Sequence, residues 1–320
     1  MLQKQNSEIL ALKILLCGFF SLFLTSCQNS NNSTPAPATA ESSFEPSQDR
    51  GMIENPHLLE ASGLAASRVN PGYLWSHNDS GNPNVLFFMD NTGKGLREFV
   101  LQGSTNRDWE DMEIAGNADG SSTIYVADFG DNNASWSSYS IYWCKEPIVN
   151  AGTPSTITDV NKLTFTLPDG SRDMECLMVD QVTKDIFIVS KRDTPKRLYK
   201  IPANKVVTGA NVVAEFVQEL AFSQATFSNQ SLITANYVTA GTISPDNSEI
   251  LIKNYMAVYY WKRKTGESIP EALKRPPVSV PYTVEPQGEG IAFAADGSGY
   301  YTISETPDKT PVHLYFYKKK

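Results

Sequence analysis

Short apolar runs separated by turn-forming residues fill most of the chain, and the 3.6-residue spacing of amphipathic helices is rare. Five six-residue segments resemble one another, namely SGLAAS (62–67), EDMEIA (110–115), ECLMVD (175–180), GTISPD (241–246) and EGIAFA (289–294). A turn-prone stretch and a second apolar run follow each segment. The turns carry residues typical of tight hairpins, as in Asp119-Gly120 and Asp296-Gly297. The pattern predicts a repeated β-hairpin unit.

Two further strand-like runs follow each hairpin, such as VLFFMD with LREFVL after the first. Units of four short strands, recurring about every 50 to 65 residues, predict an all-β fold and specifically a β-propeller. We count five four-stranded antiparallel blades. Six blades stay possible, because residues 221–240 have room for a degenerate unit. The last unit lacks a strand, and we expect MIENPHL (52–58) to supply it and close the ring from the N-terminal side.

The front of the chain reads as an export signal followed by a linker. A weakly basic start leads into an apolar run, Ile14 to Leu24, which is short for a membrane span. Residues 28–50 are rich in Asn, Ser, Thr, Pro and Ala, a composition that favours a flexible tether. We therefore predict a signal peptide at 1–26, a tether at 27–50 and a single propeller domain at 51–320.

Leu24-Thr25-Ser26-Cys27 resembles the lipobox of bacterial lipoproteins, in which the cysteine is acylated, for example with palmitate, and becomes the new N-terminus. The resemblance implies an exported protein that is anchored in the lipid bilayer through Cys27. Gln28 follows the cysteine, which favours the outer membrane, facing the periplasm or the cell surface, over the inner membrane.

The net charge of the chain bears on which partners it can bind. The 320-residue chain has 35 acidic and 27 basic residues, a formal net charge of −8. Removing the signal takes away Lys4, Lys13 and Glu8, so the excess of acids rises to nine. An acidic surface argues against nucleic acid as a partner.

Cys144 and Cys176 both lie in apolar runs, which favours two buried thiols, although an exported protein also permits a disulfide.

Carboxylates concentrate where the repeated segments begin. In RDWEDMEIA (107–115), four acids surround Trp109, Met112 and Ile114, in a stretch that otherwise predicts a buried strand. We take the first strand of each blade to be innermost and to pair antiparallel with the second. The start of one and the end of the other should therefore share one mouth of the central channel. The start positions are Ser62, Glu110, Glu175, Gly241 and Glu289.

The ends of the second strands add further polar residues, namely His77, Asn78, Asp79, Asp128, Asp131, Ser190, Lys191, Arg192, Asp193, Asn254, Ser304 and Glu305. Crowded carboxylates must protonate, pair with Lys191 and Arg192, or bind a cation. Oxygen ligands of this kind suit calcium, with magnesium second. The competing interpretation is that these acids are solvated or hydrogen-bond strand ends.

Motifs of common enzymes such as HExxH, GxSxG and the P-loop are absent from the sequence. Of the three histidines, His77 lies at the predicted mouth, where it is a candidate general base. Lys191 and Arg192 are candidates for holding an anionic substrate. The remaining candidate substrate-binding residues at the mouth are Asn78, Asp79, Asp131 and Glu305.

Several motifs together resemble a group of secreted bacterial β-propeller lipoproteins without an assigned activity. They are WSHNDSG (75–81), DWEDME (108–113), ADFGDN (127–132), RDMECLMVD (172–180), EPQGEGIAF (285–293) and GYYTISE (299–305). More distantly, the repeated glutamate resembles blade starts in calcium-dependent lactonase and phosphotriesterase propellers of the gluconolactonase and paraoxonase type. The EGIA element resembles phytase-like esterase propellers.

The distant resemblance implies a calcium ion in the channel, with Glu110, Glu175, Glu289, Asp128 and Asn254 as its ligands. The sequence departs from that pattern at Gly241, where a glutamate is expected, and it lacks an evident catalytic histidine pair.

Two functions stay open at this point. The first is a binding propeller in the cell envelope that takes a small-molecule, glycan or protein ligand at an acidic channel mouth, with a divalent cation. The second is a calcium-dependent hydrolase of a small ester, lactone or phosphoester.

Overall fold

Five β-sheets organise residues 43–220, 234–305 and 312–320, which are the residues that the computed structural model describes. The innermost strands of the five sheets are β2 (Ala61–Ala66), β6 (Trp109–Gly116), β11 (Met174–Val179), β16 (Val238–Ile243) and β20 (Gly288–Phe293). Each pairs antiparallel with the strand that follows it in the chain, namely β3 (Tyr73–Asn78), β7 (Ser122–Asp128), β12 (Ile186–Ser190), β17 (Glu249–Asn254) and β21 (Gly299–Ser304).

Two more layers complete each blade. The third strands are β4 (Val85–Asp90), β8 (Tyr139–Lys145), β13 (Lys196–Ile201), β18 (Val258–Lys262) and β22 (His313–Lys318). The outer strands are β5 (Arg97–Leu101), β10 (Val160–Thr166), β15 (Glu215–Leu220), β19 (Val278–Val280) and β1 (Gln48–Met52). Two short strands pair in parallel at the outer edges, β9 (Thr156–Ile157) on β5 and β14 (Asn211–Val213) on β10. The described residues also include a 3-10 turn (Ala203–Lys205) and a short helix, α1 (Ile269–Leu273).

The innermost strands close a ring, because β2 contacts β6, β6 contacts β11, β11 contacts β16, β16 contacts β20 and β20 contacts β2. The protein is therefore a five-bladed β-propeller, and the fold predicted from the repeat is confirmed. Residues 221–233, part of the stretch considered for a sixth blade, lie outside the described residues.

The ring is closed by an N-terminal strand, as predicted, but this strand is β1 and not residues 52–58. β1 pairs antiparallel with β22, and Phe44 just before it is buried and bridges to Lys319. The segment from 53 to 60 forms a loop instead. Its Pro56 has no backbone N–H, so it is poorly suited to a paired strand. Ordered structure thus begins before residue 51, where the tether was expected to end.

The predicted signal and the acylated Cys27 lie outside the described residues. Within the described part of the chain, no helix is long and apolar enough to cross a bilayer.

The hydrophobic core lies between blades, where each adjacent pair of sheets shares one cluster of buried side chains. Trp75 and Trp109 fill the space between the first two blades, and Trp261 lies between the third and fourth. These tryptophans therefore serve packing between blades. Cys144 and Cys176 are free, buried thiols.

Carboxylates of β6 link blades across the channel. Asp111 is fully buried, and its Oδ2 accepts hydrogen bonds from the backbone N–H of Leu177 (2.8 Å) and of Gly241 (3.1 Å). Glu113 Oε2 accepts from Thr242 Oγ1 and from the Ile243 N–H. Two of the four acids of RDWEDMEIA therefore hold inner strands together, which is the structural interpretation of that motif.

Candidate functional site

A β-bulge at the start of every innermost strand shapes the channel mouth. In β6, Trp109 pairs with Asp128 while Met112 pairs with Val126, so one extra residue is inserted in β6. The pairings of β2, β11, β16 and β20 shift in the same way. Such bulges re-aim the side chain at the insertion. The residues at this position are Ser62, Glu110, Glu175, Thr239 and Glu289.

The register corrects one position of the sequence alignment. Thr239 in the fourth blade is equivalent to the glutamates, because Val238 pairs with Asn254 just as Met174 pairs with Ser190. Gly241, which the alignment placed there, lies two residues further along β16. A Cβ on Gly241 would approach Cys176 Sγ at 2.5 Å, so close packing of the inner strands explains this glycine. The motif GTISPD was aligned two residues out of register.

Two additional layers of side chains surround the bulge positions. The residue after the second strand of each blade is Asp79, Phe129, Lys191, Tyr255 or Glu305. In the second and third blades, an aspartate also precedes the inner strand, Asp108 and Asp173. Tyr255 donates to Glu289 Oε1 at 2.7 Å, which ties the two layers together. Acidic groups from four of the five blades thus meet at one end of the channel.

In the part of the chain that the structure describes, two groups of three carboxylates are close enough to hold a metal ion. Asp79, Asp108 and Glu110 form one, and Glu110, Asp173 and Glu175 form the other. Within each group, one oxygen from every residue lies within 4.8 Å of the others. Glu110 belongs to both, so the groups form one continuous site. This arrangement is compatible with a divalent cation, for which carboxylate oxygens are the preferred ligands.

A glycine in the loop after β7 makes room for these carboxylates. A Cβ on Gly130 would overlap Glu110 Oε1 and Asp108 Oδ2. Gly130 donates its N–H to the backbone oxygen of Asp108 at 3.1 Å, so the loop backbone lies directly against the site. The segment ADFGDN therefore contributes to the site through the backbone of Gly130, which lies against the carboxylates, and not through its aspartate side chains.

Burial and mutual repulsion raise the proton affinity of the mouth carboxyls. Burial, then Asp79 and Asp173, raise the pKa of Asp108 to about 7. Burial is the main cause that raises the pKa of Glu289 to about 7. The pKa of Glu110 is raised well above its ordinary value by burial, and next by Glu175. Clustered groups with strongly perturbed pKa values are typical of binding and catalytic sites.

Lys191 and Arg192 pair directly with acids of the cluster and partly neutralise it. Lys191 Nζ donates to Glu175 Oε1, and Arg192 pairs with Asp173. Burial alone would lower the pKa of Lys191, but Glu175 and other neighbouring acidic groups overcome this and raise it well above its usual range. Glu175 Oε2 and Glu289 Oε2 are buried without a hydrogen-bond partner. Lys191 and Arg192 therefore leave these two carboxylate oxygens inside the mouth without a hydrogen bond.

Several predicted site residues use their oxygens in local structure. Asp128 Oδ1 accepts from the N–H groups of Arg107 and Asp108, and Asn254 Oδ1 accepts from those of Met256 and Ala257. Their predicted roles as metal ligands stay predictions.

The same holds for two predicted substrate-binding residues. Asn78 bridges the backbones of His57 and Glu60, and Asp131 holds the loop at Trp136. Both side chains lie beside the mouth but are hydrogen-bonded within the fold.

His77 is fully buried in the sheet. Its Nδ1 lies 3.1 Å from the carbonyl oxygen of Asn78, and its ring packs edge-on against Trp109 with centroids 5.5 Å apart. Burial lowers the pKa of His77 to about 4. The catalytic role of His77 stays a prediction, and its surroundings are those of a packing residue.

The structure also brings in Asp108 and Asp173, neither of which was among the predicted metal ligands. A signal for both is visible in the sequence, because Asp-apolar-Glu recurs as DWE (108–110) and DME (173–175) at two blade starts. Asp79 and Glu305, predicted to contact substrate, both lie near Glu289. In addition to burial, Asp79 raises the pKa of Glu289, and Glu289 raises the pKa of Glu305.

Neither the family models nor the curated proteins include a match to this chain. Solved structures with a similar arrangement include a luciferin-regenerating enzyme (9% identity, TM-score 0.44, 83% of this chain and 93% of that one). Another is the calcium-binding protein regucalcin from Agrobacterium tumefaciens (11% identity, TM-score 0.42, 87% of this chain and 96% of that one). A third is a nidogen/laminin complex (10% identity, TM-score 0.40, 77% of this chain and 73% of that one). At these identities and TM-scores, the activities of these proteins do not transfer to this chain.

Proposed function

We propose that this chain is a cation-dependent binding propeller, with a divalent cation at the channel mouth. The observation that supports this is the pair of carboxylate groups joined through Glu110. Calcium is the expected ion and magnesium the second choice, because the available ligands are carboxylate oxygens from separate blades. Magnesium requires a more regular geometry and gives up its water reluctantly.

The donor set fits such an ion. Glu175 is 1% exposed, and its Oε2 is buried without a partner. A buried, unpaired carboxylate oxygen is costly unless a cation or a hydrogen-bond donor completes it. In this proposal Asp79, Asp108, Glu110, Asp173 and Glu175 hold the ion. When bound, it supplies a positive charge that attracts an anionic or oxygen-rich group of a ligand.

The proposed partner is a small molecule, glycan or protein in the cell envelope, where acylated Cys27 would anchor the chain in the bilayer. The acidic mouth and the net charge of −8 disfavour nucleic acid.

Thermal unfolding of the full-length chain in detergent, after metal removal with a chelator, tests the proposal. An ion that binds only the folded state stabilises it by about 2.7 kcal/mol at a hundredfold excess over its Kd. We expect calcium to raise Tm, and Glu110→Gln to abolish the rise. A calcium effect of the same size in Glu110→Gln would refute the assignment.

Glu249→Gln provides a matched control. Glu249 is also a buried carboxylate, 2% exposed and paired with Lys319, but it begins β17, whose other end lies at the mouth. This variant should keep the full calcium response even if its own Tm falls. The comparison separates loss of the ion site from general loss of stability.

A second candidate function is a calcium-dependent hydrolase of a small ester, lactone or phosphoester. The observation that favours it is the position of Asp108, which interacts with the exposed Ser80 at the outer side of the site. A carboxylate at this position can accept a proton from an attacking water. Turnover of an ester panel that requires calcium and is lost in Asp108→Asn would support this function.

A further inference from the structure

Lys191 lies inside the proposed ion site rather than beside it. It follows β12, and its Nζ reaches Glu175 Oε1 at the bulge of β11. The side chain of Lys191 is 10% exposed, and that of Glu175 is 2% exposed. Besides Glu175, the acidic groups that interact with Lys191 include Glu110 and Glu289, from the second and fifth blades. One ammonium group thus faces bulge glutamates of three blades.

The glutamates around Lys191 remain incompletely satisfied. Glu175 Oε2 and Glu289 Oε2 have no hydrogen-bond partner, and both residues are at least nine-tenths buried. One ammonium carries a single charge, whereas Glu110, Glu175 and Glu289 offer up to three negative charges. A divalent cation would neutralise more of that charge, but Lys191 already holds a positive charge against the Glu175 carboxylate that the ion would share.

We propose that Lys191 is a tethered competitor of the divalent cation, so that ion binding requires its ammonium group to leave Glu175. This inference rests on the proposed function. The lysine holds the ring of glutamates together when no ion is bound, and it weakens the affinity for the ion. The site would then load only at high calcium concentrations, such as those outside the cytoplasm, where weak sites are common.

Isothermal titration calorimetry of calcium into the chelator-treated, full-length chain tests this directly. Lys191→Met removes the competing charge and keeps an apolar stem of similar length. We expect Lys191→Met to bind calcium at least tenfold more tightly than the wild type, a change of about 1.4 kcal/mol. Lys191→Arg keeps the charge and should bind no more tightly than the wild type.

Lys205→Met is the matched control, because Lys205 also pairs with a glutamate, Glu215, at 3.0 Å. That pair is about half exposed and joins the 3-10 turn to the outer strand β15. Lys205→Met removes the same charge and the same type of pair away from the mouth. Its calcium affinity should stay within twofold of the wild-type value.

Lys191→Met leaves Glu175 without its base, so the ion-free variant could fold poorly. Lys191→Gln, which retains a hydrogen-bond donor, is the second variant, and both can be refolded with calcium present. Equal or weaker binding by these variants, with clear binding by the wild type, overturns the competitor role and leaves the proposed function intact. Absence of binding in every variant overturns both. Binding by Lys191→Met alone supports the competitor role and refutes ion binding by the natural protein.

Discussion

Glu289 allows a quantitative test of carboxylate crowding at the mouth. It is 4% exposed, and its Oε1 accepts a hydrogen bond from Tyr255. Burial is the main cause that raises its pKa from 4.5 to about 7. The ion-free folded state therefore binds this proton more tightly than the unfolded chain does. It follows that the free energy of unfolding falls as pH rises between about 4.5 and 7.

The size of the effect follows from the pKa difference. At 1.36 kcal/mol for each pKa unit, a rise from 4.5 to about 7 corresponds to about 3 kcal/mol. Most of this loss, about 2 to 3 kcal/mol, falls between pH 5 and pH 8. Glu289→Gln removes the titrating group, and its amide oxygen can still accept from Tyr255. We therefore expect the variant to lack this part of the pH dependence.

Urea unfolding of the wild type and of Glu289→Gln, in chelator at pH 5 and pH 8, measures the difference. The variant should gain about 2 to 3 kcal/mol relative to the wild type on going to pH 8. Glu54→Gln is the control, since Glu54 forms only an exposed pair with Lys94 (3.6 Å) and should follow the wild-type profile. Parallel wild-type and Glu289→Gln profiles would refute the reasoning, because the carboxyl would then be well solvated.

Three further variants test the site and its supports. Gly130→Ala should lower calcium affinity at least tenfold by calorimetry, because its Cβ would displace the Glu110 carboxylate, and unchanged affinity would contradict the site. Glu146→Ala should lower the free energy of unfolding in urea by about 3 kcal/mol, since it leaves Trp75 Nε1 and other buried donors unpaired. Asp111→Ala should cost about 2 kcal/mol or more in the same assay, through two orphaned inner-strand N–H groups, and a neutral result would exclude its role as a link between blades.

The fold could be predicted because each repeat is marked by local sequence patterns, namely hairpin turns between apolar runs. Hairpin turns at Asp119-Gly120 and Asp296-Gly297, with an apolar run on either side, fix where blades begin and how their strands pair. The count of five followed from the spacing of those units. The closing strand was harder to place, since β1 lies in a polar stretch that resembles the tether and gains its strand structure from pairing with β22.

The candidate site was predictable only in part. Glu110, Glu175 and Glu289 share a sequence position, and the bulges bring all three to one mouth. Bulges insert one residue and leave no clear mark in the sequence, so Thr239 was missed in favour of Gly241. Aspartates that look alike in the sequence also separate in space, since Asp108 faces the site while Asp128 accepts from backbone N–H groups.

Within RDWEDMEIA, neighbouring residues of one strand have opposite effects on the stability of the propeller ring. Glu110 brings a carboxylate into a crowded mouth, which costs free energy in the absence of an ion. The next residue, Asp111, turns the opposite way across the bulge and accepts N–H groups from the inner strands of two other blades. Because the blades are joined there and by the clusters between them, the mouth can retain repelling carboxylates without opening. A site assembled from several blades has little tolerance for independent movement of any one of them, so in the proposed ion site the structural acids are expected to matter as much as the ligands.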